Sequence, residues 1–419
     1  MEQTKYFPTV EAIEKASGVL EEILTPTPFQ RNNNLSDIYD AEIYLKREDL
    51  QMVRSYKIRG AYNKIRSIAP ENMQNGIVCA SAGNHAQGVA FSCSKLKIMG
   101  SIFMPVTTPK QKIEQVRMFG KEYIEIVLTG DTFDAANSAA IEDAQETNKT
   151  FIPPFDDPKV MEGQGTIGLE IMKQSDAPLD YIFVPIGGGG LASGLGSYIK
   201  KLSPSTKVIG VEPGGAPCMK AAIENGGVLK LQEIDKFVDG AAVQQAGVLT
   251  YEVCKEVLDD IVVVPEGAVC TTIIHMYNKS AIVVEPAGAL AVSALKFYKD
   301  EIKGKRVACI VSGSNNDITR MEEIREKSLL YEGLKHYFIV NFPQKSGEIL
   351  SFIRDVIGPT DDLVHSQYIK KTNKNFGPAL IGIELAAKED FKALTDRMDK
   401  HGISYEYINE NNKLFEILI

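Results

Sequence analysis

The chain of 419 residues has no tryptophan, no Cys-x-x-Cys pair and no long cluster of lysine and arginine, and each absence narrows what it can be. Its six cysteines, at 79, 93, 218, 254, 270 and 309, stand apart with no histidine at metal-ligand spacing. That scatter argues against a disulfide framework or zinc module and for reduced, buried thiols. A net charge of −9 without a basic patch removes the electrostatic footprint of a nucleic-acid binder. The opening Met1-Glu-Gln-Thr-Lys-Tyr-Phe-Pro8 lacks the apolar core of a signal peptide. No apolar run approaches the roughly 20 residues that a bilayer span needs. A cytoplasmic protein that engages neither membrane nor nucleic acid is expected. Internal repeats and low-complexity segments are also missing.

What is present is a core-forming composition, 44% hydrophobic, in a chain long enough for two or more domains. From about residue 40 to 312, short β-branched runs alternate with longer amphipathic segments. Strands are expected at Gly76 to Ala80, Met99 to Met104, Tyr123 to Val127, Tyr181 to Pro185, Lys207 to Glu212, Ile261 to Val264 and Val307 to Val311. Helices are expected between them, among them Pro109 to Phe119, Asp131 to Glu146, Leu191 to Lys201 and Glu266 to Lys279. Several strands are apolar on both faces, as a parallel sheet covered by helices requires.

Past Ser312 the pattern changes. A charged, helix-like stretch through residue 335 reads as a connector, and residues 336 to 419 read as a separate β-α-β-β-α-β module of ferredoxin-like type. Its expected elements are a strand His336 to Phe342, a helix Glu348 to Ile357, strands at about 364 to 371 and 378 to 386, a helix Glu389 to His401 and a strand Ile403 to Ile408. Leu414 to Ile419 could add a further strand.

Chemistry concentrates in a few loops. In Ser55-Tyr-Lys-Ile-Arg-Gly-Ala61, apolar residues at 58, 61, 62, 65 and 68 form a helical stripe with Ser55 as a plausible N-cap, which puts Lys57 in the first turn of a helix running to about Ala69. A lysine acts as nucleophile or Schiff-base holder only when neutral. A helix N-terminus disfavours its cation by up to roughly 2 kcal/mol, so burial must supply the rest. Alone, the segment would suit a solvated surface helix better than a catalytic site.

Gly187-Gly188-Gly189-Gly190 follows the expected strand at 181 and opens the helix beginning Leu191. Consecutive glycines at a helix N-terminus let backbone N–H groups converge on a phosphate. Gly187, Gly189 and Ala192 also satisfy G-x-G-x-x-A, with Glu212 about 20 residues on, the arrangement of a dinucleotide site. The mid-chain position and the lack of a hydride-transfer constellation favour a monophosphate cofactor. Two further loops, Ser81-Ala-Gly-Asn-His-Ala-Gln-Gly88 and Ser312-Gly-Ser-Asn315, also sit between strand and helix. Locally each could be a capped turn, with Asn84 the cap and His85 on the surface.

Together these loops, with Phe155-Asp-Asp-Pro158 and Gly163-Gln-Gly-Thr166, resemble in order the fold-type II pyridoxal-phosphate enzymes, tryptophan synthase β-like in fold, and among them the biosynthetic threonine dehydratases. The resemblance covers about residues 20 to 320. It implies two open parallel-sheet α/β lobes, the smaller spanning about 50–155, in a catalytic domain 1–320, then a helical connector 321–335 and one ACT-like regulatory domain 336–419. Pyridoxal 5′-phosphate would be held on Lys57, the base on Cα. Tyr56 would pack against its ring, Asn84 would bond its 3′-hydroxyl, Gly187, Gly188, Gly189, Gly190 and Leu191 would hold its phosphate, and Ser312 would meet its ring nitrogen. Ser81, Ala82, Gly83 and His85 would face the substrate.

The implied reaction is α,β-elimination of L-threonine to 2-oxobutanoate and ammonia, the first step of isoleucine synthesis, with L-serine a poorer substrate. A neutral hydroxyl at Ser312 makes the ring a weaker electron sink than a carboxylate would, which suits prompt loss of the β-hydroxyl. Ala82 stands where related serine racemases have a second Ser that works the opposite face of Cα. Glu212 keeps one ligand of a cation site found in some relatives, but Cys218 replaces its Asp, and no metal is expected. Isoleucine as inhibitor, valine as opposing effector, and a homo-oligomer, dimer or tetramer, follow from the family alone. A serine dehydratase or other fold-type II enzyme, a nicotinamide-dependent dehydrogenase and a non-catalytic amino-acid sensor are the alternatives.

Overall fold

A computed structural model describes residues 6–370, 374–411, 414, 415 and 418. The chain divides into two compact units, Met1–Ile318 and Thr319–Ile419. Among the described residues the first contains ten strands: β1 (Phe29–Arg31), β2 (Glu42–Arg47), β3 (Ile77–Ala80), β4 (Gly100–Met104), β5 (Ile124–Leu128), β6 (Thr150–Phe151), β7 (Tyr181–Pro185), β8 (Lys207–Pro213), β9 (Asp260–Val264) and β10 (Arg306–Val311). They form two open sheets, β5-β4-β3-β6 and β1-β2-β10-β7-β8-β9. All pairings are parallel except the edge pair of β1 with β2. Strands such as β3, β4 and β7 are buried along their whole length, because helices cover both faces.

The expected strands form within a residue or two of their bounds. β2 is unexpected, because its buried Lys46 and Arg47 give Glu-Ile-Tyr-Leu-Lys-Arg the look of a surface segment. The helix Pro158–Gln174 is also unexpected, because glycines at 163, 165 and 168 each oppose helix formation by about 1 kcal/mol. Packing explains them. A Cβ on Gly163 would lie 2.6 Å from the Arg59 carbonyl oxygen, and one on Gly165 would lie 2.9 Å from that of Gly194. The glycines therefore let three helices cross at backbone contact.

The helix bearing Lys57 runs Lys57–Arg66, shorter than the stripe suggested. Ser55 does not cap it. Tyr56 precedes the helix already in αR geometry, without a side-chain cap, while Ser55 forms a bridge with Gly313 and Tyr56 N–H donates to Ser312 O at 3.1 Å. Pairing with the 312–313 segment thus replaces capping, and it brings Lys57 beside the end of β10. All six cysteines are free and buried.

The second unit holds β11 (Lys335–Pro343), β12 (Asp362–Tyr368), β13 (Phe376–Glu384) and β14 (Ser404–Tyr407) in the order β12-β13-β11-β14, with every pairing antiparallel. With helices Glu348–Asp355 and Asp390–Lys400 this is the ferredoxin-like arrangement. Its core gathers Phe338, Val340, Phe352, Ile381, Leu394 and Met398. The stretch read as a connector belongs to this unit. Its helix Met321–Tyr331 is tied to the sheet by Tyr337 Oη donating to Glu326 at 2.7 Å and by Arg325 to Glu384 at 2.8 Å. No strand forms from the described residues 414, 415 and 418, which are helical; the rest of that expectation, like residue 371 of another, lies outside the described residues.

Among the described residues, no helix is long and apolar enough to cross a membrane, and no three His, Cys, Asp or Glu side chains gather as a metal site.

Candidate active site

The loops after β7 and β10 lie side by side, because those strands are neighbours in the sheet, and both open at the carboxyl edge where parallel sheets bind ligands. After β7, residues 187–189 lead into the helix Gly190–Leu202, with Gly189 at φ +93°, a conformation that favours glycine. Among the described residues, the N–H groups of Gly187, Gly188, Gly189 and Gly190 donate to no protein acceptor. Buried amides are normally paired, so this run of free donors at a helix start is suited to receive an anion. Phe155 seals its outer side: a Cβ on Gly190 would lie 2.9 Å from Phe155 Cβ, and one on Gly188 would strike the ring. Leu191 is buried in the core behind.

The Phe155-Asp-Asp-Pro motif fixes that seal. Asp156 accepts from the N–H groups of Val248, Leu249 and Thr250 at 2.9–3.1 Å, and Asp157 caps the helix Pro158–Gln174. Thr250 Oγ1 in turn donates to Gly188 O at 2.6 Å.

Lys57 enters from the smaller lobe at the first position of its helix. Gly88 lets that helix pass, since a Cβ there would lie 3.2 Å from the Lys57 carbonyl. Lys57 Nζ donates to Pro154 O at 2.8 Å, next to Phe155 and hence to the glycine loop. Burial lowers its pKa to about 8, against a smaller opposing pull from the Glu285 carboxylate. An appreciable neutral fraction is therefore available near pH 7. The Tyr56 ring lies 5.4 Å from Nζ and packs against the large-lobe core; burial raises its phenol pKa.

Ser312 is buried and its hydroxyl donates to Ala287 O at 3.1 Å. Ser55 Oγ, fully buried, has no partner. Asn84 opens the helix Asn84–Leu96 and is not its cap, a place taken by Gly83. Its Nδ2 donates to Glu285 Oε1 at 2.6 Å, and its Oδ1 accepts from Asn315 Nδ2 at 2.6 Å. Ser81, Ala82 and Gly83 are half-buried in the same turn.

His85 is neither on the surface nor a ready substrate contact: it is buried, with Nε2 2.9 Å from Ile152 O. A carbonyl only accepts, so Nε2 carries hydrogen. Burial, with Lys57 nearby, lowers its pKa to about 3, so the ring is neutral.

Glu212 is not the free acid of a dinucleotide site. It is fully buried and accepts from Met219 and Lys220 N–H at 2.7 and 2.8 Å, fastening the helix Cys218–Asn225; burial raises its pKa to about 7. Cys218 beside it donates to Gly187 O at 3.4 Å.

Sequence reasoning missed two groups. One is Glu285, whose only signal was an acid before Pro286 at a helix start. The other lies behind Lys57, where Arg59 contacts Glu48 at 2.8 Å and Glu170 at 2.6 Å, and Lys46 contacts Glu170 at 2.5 Å. Thr27 and Gln51 complete the bonds to Glu48 at 2.5 and 3.1 Å. Burial opposes ionisation of Glu48, but Arg59 and Lys46 outweigh it and hold the pKa below the ordinary range.

A family model described as "Pyridoxal-phosphate dependent enzyme" matches residues 20–313, and one described as "C-terminal regulatory domain of Threonine dehydratase" matches 326–418. A protein of Halalkalibacterium halodurans named "L-threonine dehydratase biosynthetic IlvA" is 57% identical over 410 residues, 98% of this chain and 99% of that one. Its namesake in Bacillus subtilis is 54% identical over 98% and 97%. Among solved structures, processed threonine deaminase isoform 2 from Solanum lycopersicum aligns with TM-score 0.72 and 36% identity, over 77% of this chain and 95% of that one. Maize serine racemase aligns with TM-score 0.72 and 28% identity, over 78% and 99%.

Proposed function

The chain belongs to the pyridoxal-phosphate-dependent enzymes of the threonine dehydratase type, and from that membership we propose how its own residues carry the reaction. It is a lyase, an L-threonine ammonia-lyase that converts L-threonine to 2-oxobutanoate and ammonia. The observation that carries the site reading is the set of four glycine N–H groups without acceptors, Gly187 half-buried and Gly188, Gly189 and Gly190 buried, reached from Lys57 through Pro154 and Phe155. Such donors suit a phosphate dianion, each charge-assisted bond contributing about 1.5–3 kcal/mol. The residues present therefore fit pyridoxal phosphate: Lys57 as attachment point, residues 187–191 for the phosphate, Asn84 for the ring oxygen, Ser312 for the ring nitrogen and Tyr56 against the ring.

When bound, the cofactor supplies the electron sink that lets the Cα–H bond break and the β-hydroxyl depart. Lys57 takes the Cα proton, and its lowered pKa keeps it competent as a base near neutrality. The turn Ser81-Ala82-Gly83, at the N-terminus of the helix Asn84–Leu96, receives the substrate carboxylate. Ala82 offers no proton to the other face of Cα. Proton traffic is therefore one-sided, which favours elimination over racemisation. His85, neutral and bonded to Ile152, shapes the wall without adding charge.

The second unit is the regulatory domain, and its family description supports an amino-acid effector. Isoleucine as inhibitor, valine as its opponent, L-serine as secondary substrate, a homodimer or homotetramer and a cytoplasmic location complete the proposal. The test is 2-oxobutanoate release from L-threonine, with and without isoleucine, by wild type and Lys57→Ala. Wild type should turn over with visible cofactor absorbance, and isoleucine should slow it. Lys57→Ala should lose the absorbance and about 10³-fold or more in turnover. Retained turnover in Lys57→Ala would sink the site assignment.

A further inference from the structure

Three side chains across the cleft form a hydrogen-bonded chain with a fixed direction. Asn315 Nδ2 donates to Val53 O at 2.9 Å and to Asn84 Oδ1 at 2.6 Å, and Asn84 Nδ2 donates to Glu285 Oε1 at 2.6 Å. Val53 O can only accept, so it sets the Asn315 amide, which in turn sets that of Asn84. One N–H of Asn84 goes to Glu285, and the second is left for the cleft.

Asn84 belongs to the smaller lobe, whereas Glu285 precedes the helix Pro286–Ser293 of the larger one, so the bond crosses between lobes. Backbone encloses the acid. Glu285 N–H donates to Gly313 O at 3.2 Å, the Asn315 N–H supports the carboxylate, and a Cβ at Gly313 would collide with Oε1. Gly240 covers the far side, where a Cβ would lie 3.7 Å from Oε1 and 3.9 Å from Asn84 Nδ2.

We propose that Glu285 is a positioning residue whose ionised carboxylate locks the Asn84 amide so that an N–H, not an oxygen, faces the cofactor ring. This rests on the cofactor placement argued above. As a carboxylate, Glu285 only accepts and draws Asn84 Nδ2 to itself. Once protonated, it offers a hydrogen of its own that competes with Asn315 for Asn84 Oδ1, and the lock loosens.

The groups around the carboxyl place its titration in a useful range. Burial and the charge of Asp239 raise its pKa to about 7, against Asn84, Lys112 and the Asn315 N–H, which lower it. Lys57 and Tyr56 also feel its charge. Asp239 is itself paired with Lys112. The raised value means the lock is engaged above about neutral pH and released below it.

The experiment compares wild type, Glu285→Gln and Glu285→Ala by titrating cofactor-free protein with pyridoxal phosphate from about pH 6 to 9, reading visible absorbance and Kd. Gln is nearly isosteric and can accept from Asn84, but it has no proton to exchange. The cofactor phosphate and Lys57 titrate in the same range, so the observable is the difference between wild type and Glu285→Gln. Wild type should lose about 3- to 10-fold more affinity than Glu285→Gln on going from the alkaline to the acid end. Glu285→Ala should bind more weakly throughout, with a displaced absorbance maximum. Superimposable wild-type and Glu285→Gln curves would overturn the proposal, and so would an unchanged maximum and Kd in Glu285→Ala. A wild type that takes up no cofactor would instead refute the placement on which the proposal rests.

Discussion

Two clusters of buried polar groups share the helix Lys57–Arg66, and the fold treats them oppositely. Arg59 follows Lys57 by two residues, about 200° around the helix, and points into the lobe's interior. There Arg59 and Lys46 meet Glu48 and Glu170, with Thr27, Gln51, Thr166 and Gln174 taking up remaining bonds. On the Lys57 side, by contrast, Ser55 Oγ, Asn315 Oδ1 and the glycine-loop amides lack partners. Buried polar groups cost free energy when unpaired, so such groups accumulate only where something else is to supply the partner. Completeness of pairing separates the scaffold of this helix from its working face.

The largest effect should come from breaking the complete side. Arg59→Met leaves Glu48 and Glu170 facing each other with Lys46 as the only cation, and removing one partner of a buried ion pair typically destabilises by about 3–5 kcal/mol. Whether the intact cluster outperforms an apolar filling is a separate question, because desolvation offsets much of its attraction. Urea denaturation of the cofactor-free variant measures the loss. A change below about 1 kcal/mol would show that the cluster is not the paired scaffold described here.

A smaller effect is expected from filling the incomplete side. Gly188→Ala pushes a methyl group against the Phe155 ring at the cradle, and overpacking of this kind costs about 1–3 kcal/mol. Expressed in cofactor binding this is roughly a 5- to 150-fold rise in Kd, read from an absorbance titration. An unchanged Kd would place the phosphate elsewhere.

The same contrast explains what the sequence made legible. β7 and the glycine loop could be read because buried parallel strands are uninterrupted apolar runs and because four adjacent glycines have few other uses. Lys46, Glu48, Arg59 and Glu170 could not: each looks like a solvated charge until the fold places them together, and no local spacing announces a pairing across more than a hundred residues. Glu285 was hidden in another way, since an acid before a proline at a helix start reads as a cap. His85 misled in the opposite direction, its polar ring suggesting exposure where the Ile152 carbonyl had already satisfied it. The helix Pro158–Gln174 was not among the expected ones, because the value of its glycines lies in the crossing helices rather than in their own segment.

The smallest effect should have the opposite sign and sharpen the comparison most. The pKa of Lys57 is lower in the folded chain than its ordinary value of 10.5. Below about pH 8 the cofactor-free fold must therefore hold an ammonium that its surroundings disfavour. That penalty is present at neutral pH and fades as pH rises from about 8 toward 10.5, where the unfolded chain also loses the proton. Lys57→Met removes the penalty along with the bond to Pro154. After discounting for partial exposure of the side chain, it should stabilise the cofactor-free protein by about 1–2 kcal/mol at pH 7, a gain that shrinks above about pH 10. Urea midpoints at the two pH values decide it. Stabilisation by loss of the lysine, against destabilisation by loss of Arg59 two residues away, would show that one helix carries a strained working face and a relaxed supporting one. Destabilisation at both positions would mean that Lys57 is held as part of the scaffold, and that its lowered pKa is not a stored cost.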